Sequence, residues 1–339
     1  MFVDHRPAAA GGAMPRSPYR TGVPRTRSLT LVAAALGLLA TLSVHAESSG
    51  RRGDATPFCG DEGVWLQILG GGGTEMDDGR TPASYTVFLD NQARLLVDPA
   101  SGASSLFDQA GGRVNDLDAI VLSTARAERM MDLPAFLIGA RAAERNRLLP
   151  ILGPDGGAGQ PDTVTAVDRL IGPQGAYPEL AGFLPPQAVG RFRASPRNVP
   201  ATGQRRWADF GNDQLQLSAV PAYFGGVPAL IWKVEIAGKT TVFAGDTNNS
   251  KNNLAEFAKG ADALVIHHSI PENTRGTLTD FHRTPGQIGR IAAQAGVRMV
   301  ILGHRMNRTL GRESLSSAAI QEHYKGSLIF ADDLECWGL

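Results

Sequence analysis

Between residues 47 and 266 the chain contains no histidine. That long stretch therefore cannot supply the imidazoles on which a zinc site ordinarily rests. Cysteine is almost as scarce, with Cys59 and Cys336 the only two. No Gly-x-Ser-x-Gly stretch occurs, which removes the serine elbow of one large hydrolase class. The glycine run "GGGGTEMDDGR" lacks the Gly-Lys-Ser/Thr ending of a phosphate loop and reads as a turn. Neither sign of charge dominates, with 33 basic and 33 acidic residues. No internal repeat is present, so a solenoid is excluded.

What is present begins with "RTRSLTLVAAALGLLATLSVHA". Arg25 and Arg27 precede an apolar run from Leu29, and small residues lead to Ala46. A basic region, a short apolar core and a small-residue exit read as a secretory signal peptide. The run is short for a membrane span, and a retained N-terminal anchor is the alternative. The expected organisation is an N-terminal extension and signal over 1–46 and a single domain over 47–339. The mature protein is then periplasmic or secreted, with no membrane segment after cleavage. An exported chain with one pair of cysteines is expected to join them, Cys59 to Cys336, with two buried free thiols as the alternative. Loss of residues 1–46 leaves a net charge of −4. On that balance no basic footprint for nucleic acid is expected.

Short apolar runs alternate with helical patterns through the rest. Strands are expected at 64–69, 84–89, 93–97, 118–123 and 149–152, and again at 215–220, 230–236, 240–244, 263–266, 298–302 and 327–330. Helices are expected at 132–145, 162–171 and 177–183. "TPGQIGRIAAQAG" is the best-signed helix, with Thr284 as N-cap, Pro285 first, Gln287 closing a capping box and Gly296 as stop. The stretch 185–212 is rich in Pro, Arg and Gly and carries no clear period. The alternation indicates sheets packed face to face with helices outside.

The histidines of the mature chain are His267, His268, His282, His304 and His323, all in the last third. "TTVFAGDTNN" ends a strand in Asp246, "ADALVIHHS" ends one in His267 and His268, and "VILGH" ends one in His304. "FHRTP" places His282 just before a helix. A lone histidine is more often a satisfied core or surface residue than a ligand. Four strand or helix ends presenting such groups together look like half of a polar or metal site.

In order along the chain, "WLQILGGGGTEM", "ARLLVDPASGASSLF", "DLDAIVLS…DLPAFL", "GKTTVFAGDT", "ADALVIHHS", "FHRTPGQIGRIAAQAGV" and "VILGH" resemble the motifs of the metallo-β-lactamase fold superfamily. The branch resembled is that of ribonuclease Z and the arylsulfatase-like periplasmic metallohydrolases. The resemblance implies an α/β four-layered αβ/βα sandwich with two zinc ions at one edge of its sheets. It also implies that the His-x-His-x-Asp-His motif is degenerate. With "DLP" fixing the register, its first histidine falls on Thr124, its second on Arg126, its aspartate on Glu128 and its third histidine on Arg129. A further family histidine falls on Phe224, or on Tyr223 if the register slips. Asp246, His267, His282 and His304 stand where the family has its bridging aspartate and later histidines.

Arginine stays protonated and does not bind zinc. Arg126 and Arg129 are therefore expected to replace the charge of the missing metals and to pair with Glu128 and Asp246. The leading expectation is a hydrolase-like member without cofactor that binds a small molecule or protein in the former cleft. One alternative is a hydrolase of ester or phosphodiester-type substrates on a single zinc held by Asp246, His304 and Glu128, with His267 or His268 beside them. The other is a metal-free acid/base hydrolase using His282 with His268 or His304.

Overall fold

The computed structural model describes residues 60–157, 159–186 and 192–339. Its first sheet contains β1 (Val64–Gly70), β2 (Ser84–Leu89), β3 (Gln92–Val97), β4 (Ala119–Val121), β5 (Leu148–Pro154) and β6 (Arg193–Val199). β7 (Trp207–Gly211), β8 (Leu215–Phe224), β9 (Val227–Ile236), β10 (Lys239–Phe243), β11 (Ala263–His267), β12 (Met299–Gly303) and β13 (Ser327–Phe330) form the second. The last strand, β14 (Cys336–Gly338), returns to pair with β1, so the orders are β14-β1-β2-β3-β4-β5-β6 and β13-β12-β11-β10-β9-β8-β7.

Alternation along the strands gives each sheet two apolar faces. Leu66, Val87, Leu95 and Val121 meet Leu217, Trp232, Val265 and Ile301 between the sheets. Leu69, Leu96 and Ile120 face outward under α1 (Ala103–Gln109), α3 (Leu133–Ala142) and α4 (Thr163–Ile171), where Phe107, Leu133, Leu137 and Val167 cover them. The second sheet turns Ile231, Val242, Leu264 and Val300 toward α5 (Leu254–Phe257), α6 (Pro285–Ala295) and α7 (Glu313–Gln321). Helix, sheet, sheet and helix make the expected four-layered sandwich. Each fully buried Leu, Ile or Val contributes about 1.5–3 kcal/mol through apolar surface removed from water.

Two features bring this frame to the site. Within the first sheet β3, β4, β5 and β6 run parallel, and within the second so do β10 through β13. Their carboxyl ends therefore open at common edges, where α/β sheets place ligands. The exit of β4 is tied across to β9. The indole N–H of Trp232, the largest fully buried side chain, donates to the Leu122 carbonyl at 2.9 Å. The Leu230 N–H donates to the Ser123 carbonyl at 2.9 Å.

The sequence expectations hold best where local chemistry is explicit. Helix α6 starts after Thr284 and stops at Gly296, which takes the left-handed φ of 62° that glycine adopts without strain. The Gln287 side chain accepts from the Thr284 N–H at 3.0 Å, completing the capping box. The glycine run is more than a turn: side chains at Gly70, Gly71 or Gly73 would collide with Pro82, Ala331 or Met306. The segment without a period holds β6 and the edge strand β7, and residues 178–183 form a 3-10 helix.

The signal region expected over 1–46 lies outside the described residues. Among those described, no helix is long and apolar enough to cross a membrane. No described cysteine is free, and Cys59, the partner expected for Cys336, lies outside them.

Candidate functional site

Parallel pairing of β10, β11 and β12 brings Asp246, His267 and His304 together at the strand ends. The backbone bends sharply there. Gly245, His304 and, after β3, Asp98 take left-handed φ values of 52°, 51° and 52°. For a histidine and an aspartate such values are uncommon and locally strained, and they turn both side chains out of the strand direction.

Asp246 is the hub. Its Oδ1 lies 2.8 Å from His267 Nδ1 and 3.5 Å from His282 Nδ1. Its Oδ2 accepts from Arg129 Nη2. The rings of His267 and His304 stack with centroids 4.5 Å apart, and His304 Nδ1 meets Ser269 Oγ at 2.9 Å. Arg129, from the short helix α2 (Ala127–Met130), is 0% exposed. Its Nε also lies 3.9 Å from Asp98 Oδ2. Asp98 in turn accepts from the Ser123 N–H and hydroxyl, both at 2.6 Å.

The electrostatics follow from burial and these contacts. Burial alone would lower the Arg129 pKa, but Asp246, Asp98 and Glu128 overcome it and hold the guanidinium more firmly charged. Burial likewise opposes ionisation of Asp246, yet His267, Arg129 and His304 keep that carboxyl well below its usual range. Burial raises Asp98 despite Arg129 and Ser123. His304 is pushed well below its ordinary value by burial, and His282 to about 4 by the same cause. Both are neutral at pH 7.

The expected site residues divide sharply. Arg129 reaches Asp246 as expected. Arg126 takes the other expected carboxylate: its Nε pairs with Glu128 at 3.2 Å near the surface, and its guanidinium lies 6.0 Å from the Phe224 ring centroid. Glu128, placed among the ligands of a single metal, is thereby drawn away from Asp246 and His304. Among the described residues the group that could hold an ion is instead Asp246, His267 and His304, whose ligand atoms lie within 4.8 Å of one another. That trio also bears on the expectation of no cofactor, since it offers a position for one zinc.

His282 sits in the site, against Phe224. His268 does not. It follows His267 at the strand end and faces the opposite layer, where its Nε2 meets Ser316 Oγ of α7 at 2.9 Å and its ring lies against Phe330. Adjacent residues on a strand point to opposite faces, which is the physical reason it cannot share the site. Asp98 and Ser269 belong to the network without having been singled out. Asp98 lay within the "LVDP" segment that carried the resemblance, whereas nothing marked Ser269.

Two metals do not fit this arrangement. The positions for three histidines of the motif hold Thr124, Arg126 and Arg129, and Phe224 takes a fourth. Both oxygens of Asp246 already have partners within the protein.

Residues 93–305 match the family described as the beta-lactamase superfamily domain. Ribonuclease Z of Mycolicibacterium paratuberculosis is 26% identical over 287 residues, covering 80% of this chain and 96% of that protein. The metallo-beta-lactamase fold protein YhfI from Bacillus subtilis superposes with a TM-score of 0.62 at 17% identity, over 81% of this chain and 98% of that one. Human tRNase Z, short form, does so with a TM-score of 0.61 at 14% identity, over 80% and 98%. The relatives' names overturn the expectation that nucleic acid is excluded. Net charge was the wrong quantity for that judgement, because recognition depends on charge at the site.

Proposed function

The chain belongs to the beta-lactamase superfamily, a family of metal-dependent hydrolases, and from that premise we propose that it binds a ligand without the family's two-metal hydrolytic centre. The observation that carries this reading is the fully buried Arg129 guanidinium donating to Asp246. It puts a fixed positive charge where the fold would otherwise gather zinc, and a cation in a ligand shell repels another. The ligand we infer carries phosphate or carboxylate groups. Arg308, whose Nε donates to the Ser269 carbonyl and whose charge adds to burial in lowering the pKa of His282, has no acidic partner among the described residues and supplies positive charge beside the site. Nucleic acid falls within that ligand class, in keeping with relatives named ribonuclease Z.

Elemental analysis of the dialysed protein is expected to give well under about one zinc per chain. About two, with ester hydrolysis lost on chelation, overturns the reading.

A second reading is favoured by the trio Asp246, His267 and His304. One zinc held there would polarise a substrate oxygen or activate a water. About one zinc per chain, lost in His304→Ala, supports that reading over the first. The metal-free acid/base alternative loses His268, which faces α7.

We further propose export, with a Cys59–Cys336 bridge tying the start of the domain to β14. Intact mass of the secreted protein, alkylated with and without reductant, tests both. An unprocessed N-terminus would defeat the first, and two alkylated cysteines without reduction the second.

A further inference from the structure

Arg283 follows His282 in the chain and immediately precedes the N-cap of α6. Its side chain keeps only 4% of its surface open. Its Nε and Nη2 groups are enclosed with no hydrogen-bond partner. No carboxylate among the described residues forms an ion pair with it. Burial, with no acidic neighbour opposing it, pushes its pKa down to about 9, so it remains charged at pH 7. Arg129, equally buried, satisfies its charge on Asp246 and Asp98.

The position makes the unpaired charge worse. The N-terminus of a helix carries partial positive charge from its free N–H groups, which disfavours a cation there. Helix α6 has 11 residues, and its Gly286 N–H is met by Glu272 Oε2 at 2.6 Å. That carboxylate caps the helix and does not reach Arg283. A buried, unpartnered guanidinium beside the positive end of a helix is destabilising on both counts. Such orphaned groups in folded proteins commonly mark the place of an ion or water. Planar N–H donors in a fork match an oxyanion.

We propose that Arg283 is the anchor of a small-oxyanion site, for a phosphate, sulfate or carboxylate group, separate from the Asp246 cluster. Its charge and its two unpartnered donors favour the same ligand. The site does not depend on whether the cluster holds zinc.

The test is thermal melting of the purified full chain at fixed ionic strength, with sodium chloride replaced stepwise by phosphate, sulfate or acetate. Phosphate is expected to raise the melting temperature of the unsubstituted protein by about 2 °C or more at saturating concentration. In Arg283→Met that rise should vanish, while melting without oxyanion stays equal to or above the parent's. Arg283→Lys keeps the charge without the fork and should show a reduced response, which keeps the proposal testable if the Met variant fails to fold. A larger response to phosphate and sulfate than to acetate identifies a tetrahedral ligand, and the reverse a carboxylate. No response to any of the three ions overturns the proposal, as does a full response in Arg283→Met or Arg283→Lys. Arg308→Gln separates this site from the cleft. If it abolishes the response while Arg283→Met retains it, the anion sits at the cleft, and the proposal fails while the ligand-binding function stands.

Discussion

The two sheets bring opposite chemistry to one edge. From the second come Asp246, His267, His282 and His304, a set that would still suit a metal. From the first, the loop between β4 and α3 brings Thr124, Arg126, Glu128 and Arg129, with no histidine. The histidine-bearing half has partners for its side chains inside the protein: His267 on Asp246, His304 on Ser269. The half without histidines supplies Arg129, which reaches across and ties the two together. A metal site is a balance of charge as well as a set of ligands. A fixed cation from one half neutralises the carboxylate of the other, on which His267 also rests.

The sharpest way to break this contrast is to remove the bridging charge. Arg129→Ala strands Asp246, and loss of one member of a buried ion pair costs about 3–5 kcal/mol. Urea unfolding of Arg129→Ala, Asp246→Ala and the double variant is expected to reveal coupling above about 1.5 kcal/mol. Additive losses would mean that the two residues are neighbours without being partners. Replacing a buried pair on both sides is far less harmful than halving it, so the double variant should be more stable than the sum of the singles.

Acid should separate the two halves next, because the buried neutral histidines all lie in the second. His268 is pushed down to about 4, first by burial and then by Arg305, with Glu313 opposing. Its folded pKa lies below the ordinary 6.5, so the unfolded chain takes up the proton first. Stability is therefore whole above about 6.5 and falls as the pH drops toward 4, at about 1 kcal/mol per pH unit for each such group. Asp98, raised by burial, pulls the other way at the acidic end. Chemical unfolding from pH 7 to 5 should thus be less steep in His268→Gln than in the parent. An unchanged slope would mean that His268 takes up its proton as readily in the folded state as in the unfolded one.

The sequence made the fold legible wherever one residue decides a local structure. Strands β2 and β13 and helix α6 begin and end where alternation, Thr284 and Gly296 place them. Strand β6 was hidden because its residues alternate poorly and its pairing with β5 is a tertiary matter. At the site, "DLP" fixed the register well enough to single out Arg129, and the strand end "GKTTVFAGDT" singled out Asp246. The register did not fix which way each side chain of the loop turns, and Arg126 turned outward. The error over His268 was avoidable, since neighbours at a strand end cannot both enter one site. That His304 adopts a left-handed backbone is written in no motif.

The smallest effect tests the outward arginine. Arg126 and Glu128 lie 3.2 Å apart with both side chains partly exposed. Water screens such a pair, and holding two long side chains together costs entropy, so its worth is under about 1 kcal/mol. Arg126→Ala should accordingly change unfolding stability by less than about 1 kcal/mol, a fraction of the Arg129→Ala loss. Some of that change should come from the face of Phe224, on which the guanidinium rests. Arg126→Lys keeps the charge but stacks less well, so a loss close to that of Arg126→Ala would assign the contribution to stacking rather than to the ion pair. Arg126→Ala as damaging as Arg129→Ala would mean that the loop holds its two arginines in a single unit, and the contrast between a buried bridge and an exposed pair would fail.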